Sequence, residues 1–304
     1  MGKASSPTHP EALVGRQAVG VARGRWGRVK RLVILILAAC TALLIVGLSN
    51  AAAGPATVTC TDSFSGTAFN VIVPDDNFCV LSGATITHDL LIGMDAGAGA
   101  GVEAGESGLT VGHDVTMQHD SEVDFGATVI GHDLIGTTND AFHLERDTIR
   151  GDLLAFQPAT VQTGGIGPET PGGPVHVLGD LLIQGTPPDN DFVFDGLGGG
   201  LLTVGRDLRI TDRSVTLGFT VGGDTIGRDL VVTNDSALSG FFGPSSIVVT
   251  ENSVGRDLIF TGNTAVPGGD LTVSHNVVGR DAICAANDPL PTDGNVVGRT
   301  NTCG

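Results

Sequence analysis

The sequence predicts an all-β chain: a right-handed parallel β-helix of about ten coils, preceded by an N-terminal signal or transmembrane helix. Three observations carry that expectation. A five-residue motif recurs along the chain, like residues fall into columns when the repeats are aligned on it, and turn formers are abundant. Of 304 residues 46 are Gly, and only 4% are aromatic. Gly with Asp and Asn, and little Lys, Glu or Tyr, fits short strands joined by tight turns rather than packed helices.

The first 53 residues stand apart. A basic stretch ending Arg28-Val29-Lys30-Arg31 precedes the uncharged run Leu32 to Leu48, and Ser49-Asn50-Ala51-Ala52-Ala53-Gly54 follows. These are the n-region, h-region and A-x-A site of a signal peptide, so the chain is expected to be secreted or held at the cell surface, with cleavage after Ala53. Left uncleaved, the same run is a membrane anchor at the short limit for a span. Its positive flank keeps the N-terminus inside and exports the body. Seven of the 16 basic residues lie before the run. Beyond it nine Arg face 32 acids, a net −23 against −17 for the whole chain. Such a surface excludes nucleic acid and anionic lipid as partners. It keeps a rod soluble and can attract Ca²⁺ or basic partners.

The motif reads Val/Ile-Gly-Arg/His-Asp-Leu, as in Val204-Gly205-Arg206-Asp207-Leu208. Its Asp falls at Asp89, Asp114, Asp133, Asp152, Asp180, Asp207, Asp229, Asp257 and Asp281, and Thr300 takes the tenth place. Successive spacings are 25, 19, 19, 28, 27, 22, 28, 24 and 19. Unequal repeats argue against a left-handed hexapeptide helix and suit a right-handed one, whose turns accept insertions. Three residues before each Asp position stand Ile86, Val111, Ile130, Ile149, Val177, Val204, Ile226, Val254, Val278 and Val297, all β-branched. Just after it come Leu90, Val115, Leu134, Leu153, Leu181, Leu208, Leu230 and Leu258, then Ala282 and Asn301. Both columns are expected to stack inward, and ten coils about 4.8 Å apart make a rod of roughly 50 Å.

Corners have columns too. Six residues after the motif Asp lie Asp95, Asp120, Asn139, Asp235, Asn263 and Asn287. Five before it lie Asp224, Asn252, Asn276 and Asn295. Asn and Asp tolerate left-handed backbone and bond nearby amides, and the motif Asp is expected to do the same. The segments 96–108, 163–174, 185–200 and 239–246, rich in Gly, Pro or small residues, read as inserted surface loops.

Cys40 lies in the leader, leaving Cys60, Cys79, Cys284 and Cys303. Each flanking pair is 19 residues apart, the length of the shortest coil. Neighbouring coils bring such pairs within disulfide range, so Cys60–Cys79 and Cys284–Cys303 are expected to staple the two ends.

The C-terminal stretch Val278-Gly279-Arg280-Asp281-Ala282-Ile283-Cys284, then Asn287-Asp288-Pro289, Asn295-Val296-Val297-Gly298-Arg299 and Cys303, resembles the end of uncharacterised secreted actinobacterial repeat proteins. The match covers about the last 30 residues, with Arg-Asp where that pattern usually has Gly-Asn. The motif is also distantly similar to the polymer-forming bactofilin β-helix, whose cytoskeletal role the export signal argues against. The resemblance implies fold and export and brings no catalytic residues.

His88, His113 and His132 share the position before the Asp, where later coils place Arg206, Arg228, Arg256, Arg280 and Arg299. A His/Asp ladder has the ligands for Zn²⁺. The plainer reading, a cation column offsetting the acidic one, covers the Arg rows as well. No catalytic or cofactor-binding residues are assigned. A polysaccharide lyase or hydrolase is the alternative function, but the region after the leader has no Lys, Tyr or Trp to serve as base or stacking platform. The pairs Asp75/Asp76 and Asp189/Asp191 sit in loop-like sequence. Phosphate loops, His-Glu-x-x-His, Gly-x-Ser-x-Gly and the calcium-binding nonapeptide are missing. Thr211, Thr233 and Thr261 form one column, but Arg209, Val231 and Ile259 two residues earlier deny it the paired threonines of an ice-binding face. The leading expectation is a non-enzymatic exported solenoid acting in surface structure, adhesion or matrix binding, with an envelope or extracellular glycan or protein as partner.

Overall fold

A computed structural model describes residues 56–101, 107–164, 173–186, 194–198, 202–240, 243–292 and 294–303. The leader, the apolar helix expected in it and the A-x-A site lie outside them, as do Asp189 and Asp191. The described chain is all-β with no helix. Three long parallel sheets carry it. The first has eleven strands, from Thr57–Thr59 to Ala282–Ala285. The second has nine, from Phe78–Val80 to Leu271–Ser274, and the third eleven, from Thr67–Ala68 to Val296–Val297. Strands follow chain order within each sheet, so each coil between the two end coils adds one strand per sheet with its register locked to the coil before.

The inward columns follow from side-chain alternation. Leu134, Leu153, Leu181, Leu208, Leu230 and Leu258 pair in register on the first sheet and are fully buried. Ile130, Ile149, Val177, Val204 and Ile226 do the same on the third. Phe142, Phe219 and Leu271 complete the core from the second sheet. Parallel sheets with a wholly apolar inner face suit β-branched and Leu side chains, which pack rung upon rung.

The motif Gly has a steric reason. It sits where the chain leaves the third sheet, and a Cβ on Gly131, Gly227, Gly255 or Gly279 would fall deep inside contact with the carbonyl oxygen of the motif Gly one coil earlier. No side chain fits between coils at these four positions.

The structure corrects three expectations. The segment 96–108 is not wholly a loop, because Gly97–Ala100 is a strand of the second sheet, flanked by Phe78–Val80 and Glu122–Gly126. Its two glycines lack outward side chains, and the ring of Phe78 lies over both. Segment 185–200 likewise contains the strand Phe194–Gly198, with Asp195 in register between Val161 and Phe219. The column six after the motif Asp is in fact two columns. Asp95, Asp120 and Asn139 are left-handed turn residues (φ 52°, 61° and 63°), whereas Asp235, Asn263 and Asn287 are buried. Later coils place the left-handed residue one position earlier, at Asp212, Asn234 and Gly262. The early coils carry one more residue in this corner.

Both disulfides join neighbouring coils. Cys60–Cys79 has its Cα atoms 5.8 Å apart and Cys284–Cys303 has them 4.6 Å apart.

Candidate functional site

The most ordered polar feature is the corner between the third and first sheets, which the motif builds. Main-chain bonds between coils run through it on either side, as from His113 N–H to His88 O and from Leu90 N–H to Asp114 O, and the motif carboxylate supplies the acceptor for the Asp amide between them. The N–H of Asp152 donates to Asp133 Oδ1 at 2.7 Å, Asp180 to Asp152 at 2.8 Å, Asp207 to Asp180 at 3.0 Å and Asp281 to Asp257 at 3.3 Å. Asp114, Asp133, Asp229 and Asp257 continue the series, and Thr300 ends it on Asp281. At the other end Asp89 donates to Asn70 Oδ1 at 3.1 Å. All nine motif carboxylates therefore accept a main-chain amide from the next coil.

The same carboxylates meet the cation column. Arg228 binds Asp207 through Nε and a terminal nitrogen (3.0 and 2.8 Å), and Arg209 joins it at 2.9 Å. Arg256 embraces Asp229, Arg280 reaches Asp257 at 3.1 Å, and Arg299 reaches Asp281 at 2.6 Å. These fork-shaped pairs run from one coil to the next. Burial pushes the Asp207 carboxyl up, but hydrogen bonds from Arg228 and Arg209 outweigh it and hold it below the usual range. Arg256 does the same for Asp229, and Arg299 for Asp281.

In the early coils imidazoles take the place of the guanidinium groups. His88 Nδ1 lies 2.7 Å from Asp89, and His113 Nδ1 lies 3.1 Å from both Asp89 and Asp114. His132 Nδ1 is 2.8 Å from Asp114 and 3.2 Å from Asp133. The rings stack with Phe69 at one end: centroids are 4.8 Å apart for Phe69–His88, 4.9 Å for His88–His113 and 5.0 Å for His113–His132. The hydrogen bond that His132 makes to the Asp114 carboxylate raises the His132 pKa.

Two coils break the pattern. There the motif reads Arg150-Gly151-Asp152 and Leu178-Gly179-Asp180, so glycine stands at the cation position. Arg206 compensates by reaching back to Asp152 (2.6 Å) and Asp180 (3.2 Å). A shallow hollow of about 500 Å³ opens over the two glycines, bordered by His132, Arg150 and Arg206.

The remaining corners hold buried caps, some of which sequence reasoning missed. Asp147 accepts the N–H groups of Thr128 (2.7 Å) and Glu145 (2.8 Å), and burial pushes its carboxyl up to about 7. Asp224 accepts from Leu202 at 3.3 Å and burial takes it to about 7; Asp140 accepts from Ser121 and Thr137 and reaches about 6 for the same reason. In later coils Asn replaces Asp. Asn252 accepts the N–H of Asp224 at 3.0 Å and donates to Val221 O at 3.0 Å, and Asn276 repeats this on Asn252 and Val249. Arg213, fully buried, donates to the carbonyls of Pro158 and Gly185.

Outside the corners, the first sheet presents a half-exposed aliphatic stripe: Ile72, Leu91, Ile135, Leu154, Leu182, Val231, Ile259 and Ile283, interrupted by Thr116 and Arg209. The third sheet carries a separate outward threonine column at Thr85, Thr110, Thr148, Thr203 and Thr225, on a different sheet from Thr211, Thr233 and Thr261. Asp75, one of the paired acids, accepts the N–H of Met94 at 2.9 Å and so belongs to a turn.

No family model matches the chain, and no curated protein or solved structure does so either.

Proposed function

We propose that this protein is an exported, non-enzymatic solenoid, a right-handed parallel β-helix that serves as a structural or adhesive rod at the cell surface or in the extracellular matrix. One observation carries the reading. The repeated carboxylates are each engaged by the amide of the next coil and a neighbouring Arg or His side chain. A catalytic centre needs a convergent, unique cluster, whereas these groups form a regular column. Right-handed winding is the hand that parallel crossover connections adopt almost without exception. Two disulfides between adjacent coils fit an oxidising compartment, reached through the leader 1–53 with cleavage after Ala53. The C-terminal resemblance to secreted actinobacterial repeat proteins agrees with that destination. The acidic surface and aliphatic stripe point to a glycan or protein of the envelope or matrix as partner, not to nucleic acid.

The test is twofold. Purified protein should show saturable binding in a screen of cell-wall and extracellular glycans and proteins, run with and without Ca²⁺. It should leave pectins, alginates and neutral glycans unchanged. Turnover of any of these, abolished by Asp189→Ala or Asp191→Ala, would replace the rod with a carbohydrate-active enzyme.

A further inference from the structure

The cation position before the motif Asp is filled by Arg in five coils and by His in three consecutive ones. The ion-pair role does not explain that choice, because Arg228, Arg256 and Arg299 fulfil it with two-pronged bonds. What imidazole adds is a nitrogen lone pair, the usual ligand for a borderline transition metal. We propose that His88, Asp89, His113, Asp114 and His132 form a surface site for one Zn²⁺-type dication, centred on His113.

The ligand atoms already converge. They fall into two overlapping triads, His88–Asp89–His113 and His113–Asp114–His132, and within each triad the candidate atoms lie within 4.8 Å of one another. An ion at the centre of such a triangle is at most about 2.8 Å from each atom, and zinc bonds to nitrogen and oxygen need roughly 2.0–2.2 Å. Each ligand must therefore move by less than about 1 Å. The rings are nearly parallel now, 15° and 7° apart, so part of that movement is a tilt that aims the lone pairs at a common point. The side chains have room for it, being 44%, 48% and 56% exposed.

Binding uses the lone pair of one ring nitrogen, and the proton of the neutral ring stays on the other. Each triad supplies two nitrogens and a carboxylate oxygen and leaves the outer positions to water. The nitrogens favour Zn²⁺, Ni²⁺ or Cu²⁺ over Ca²⁺, which takes oxygen ligands. Both triads need His113, so one ion is held per chain.

The experiment is calorimetric titration of the purified protein, without a histidine tag, with Zn²⁺ in a non-coordinating buffer near neutral pH. One ion per chain is expected, with a heat that saturates at that ratio. His113→Arg places in the column the residue that five other coils accept, so the ladder stays paired and circular dichroism should be unchanged while zinc uptake is lost. His113→Gln loses uptake without adding charge, and His176→Gln, elsewhere on the third sheet, retains it. The absence of saturable uptake in the parent, or uptake by either His113 variant equal to the parent's, would overturn the site.

Discussion

The backbone N–H of Asp152 donates to Oδ1 of Asp133, nineteen residues earlier, at 2.7 Å. The same link recurs where the intervening coil has 28 residues, as between Asp180 and Asp152. The corner is therefore indifferent to coil length, and its stability can be tested one rung at a time.

Asp207 is the clearest rung to break, because it is 2% exposed and serves Asp229 N–H, Arg228 and Arg209 together. Asp207→Ala leaves that amide without its acceptor and should cost about 1–3 kcal/mol. Asp207→Asn keeps an oxygen for the amide, as Asn70 does for Asp89, and should cost distinctly less. Urea unfolding of the two variants measures both. Equal losses would mean that the ion pairs, not the amide bond, stabilise the corner.

Gly255→Ala forces a methyl group against the carbonyl oxygen of Gly227. The coils must separate locally, which should destabilise the fold by about 1–3 kcal/mol, as overpacking does elsewhere. Gly66→Ala is the comparison, since its φ of 114° strains any side chain although the space is open. Thermal melts should show a loss in both, with backbone strain as the cause only at Gly66.

Much of this fold was legible in the sequence, because a column is visible whenever neighbouring coils repeat a residue type. Leu134 to Leu258 and the β-branched column were readable for that reason, as was the histidine row. Asp147 was not, since its column runs Ala84, Leu109, Thr128 before it and Val175, Leu202 after it. Phe69 and Asn70 were missed because their coil lacks the motif, although counting 19 residues back from Asp89 lands on Asn70. Asp95 and Asp235 were merged because one added residue in a corner shifts the numbering but not the backbone path.

Stability should peak at mildly acidic pH. Asp147 and Asp224 have folded pKa values of about 7, raised by burial. A raised carboxyl holds its proton in the fold, so its contribution is complete below the unfolded value and is lost as pH rises towards 7. Asp207, Asp229 and Asp281 are depressed, so theirs is lost as pH falls below the ordinary carboxylate range. Together these place the maximum near about pH 4–5. Asp147→Asn cannot ionise, and relative to the parent it should gain about 1.4 kcal/mol per pH unit between roughly 4 and 7. Denaturation at three pH values checks the slope, and a flat difference would show that Asp147 is ionised in the fold.

Each disulfide closes a loop of 19 residues, worth about 3 kcal/mol on a chain-entropy basis. Coils contact mainly their neighbours, so the loss in a Cys284→Ser/Cys303→Ser variant should be local. Hydrogen exchange should rise in the last coil, around Ala282–Ala285, and stay unchanged around Leu134–Gly136. Uniform acceleration would instead mean that the rod unfolds as one unit.

Two successive coils, ending at Asp133 and Asp152, have the same 19-residue length and begin and end on the same atoms. Excising residues 115–133 would join Asp114 directly to Leu134 and present every later coil with the acceptor it now has. A gene of this kind can be lengthened or shortened by in-frame duplication or loss of a whole turn without redesign of either junction. Recombination between its own repeats becomes a way of adjusting the protein's reach, and alleles differing by one coil are the trace such events would leave.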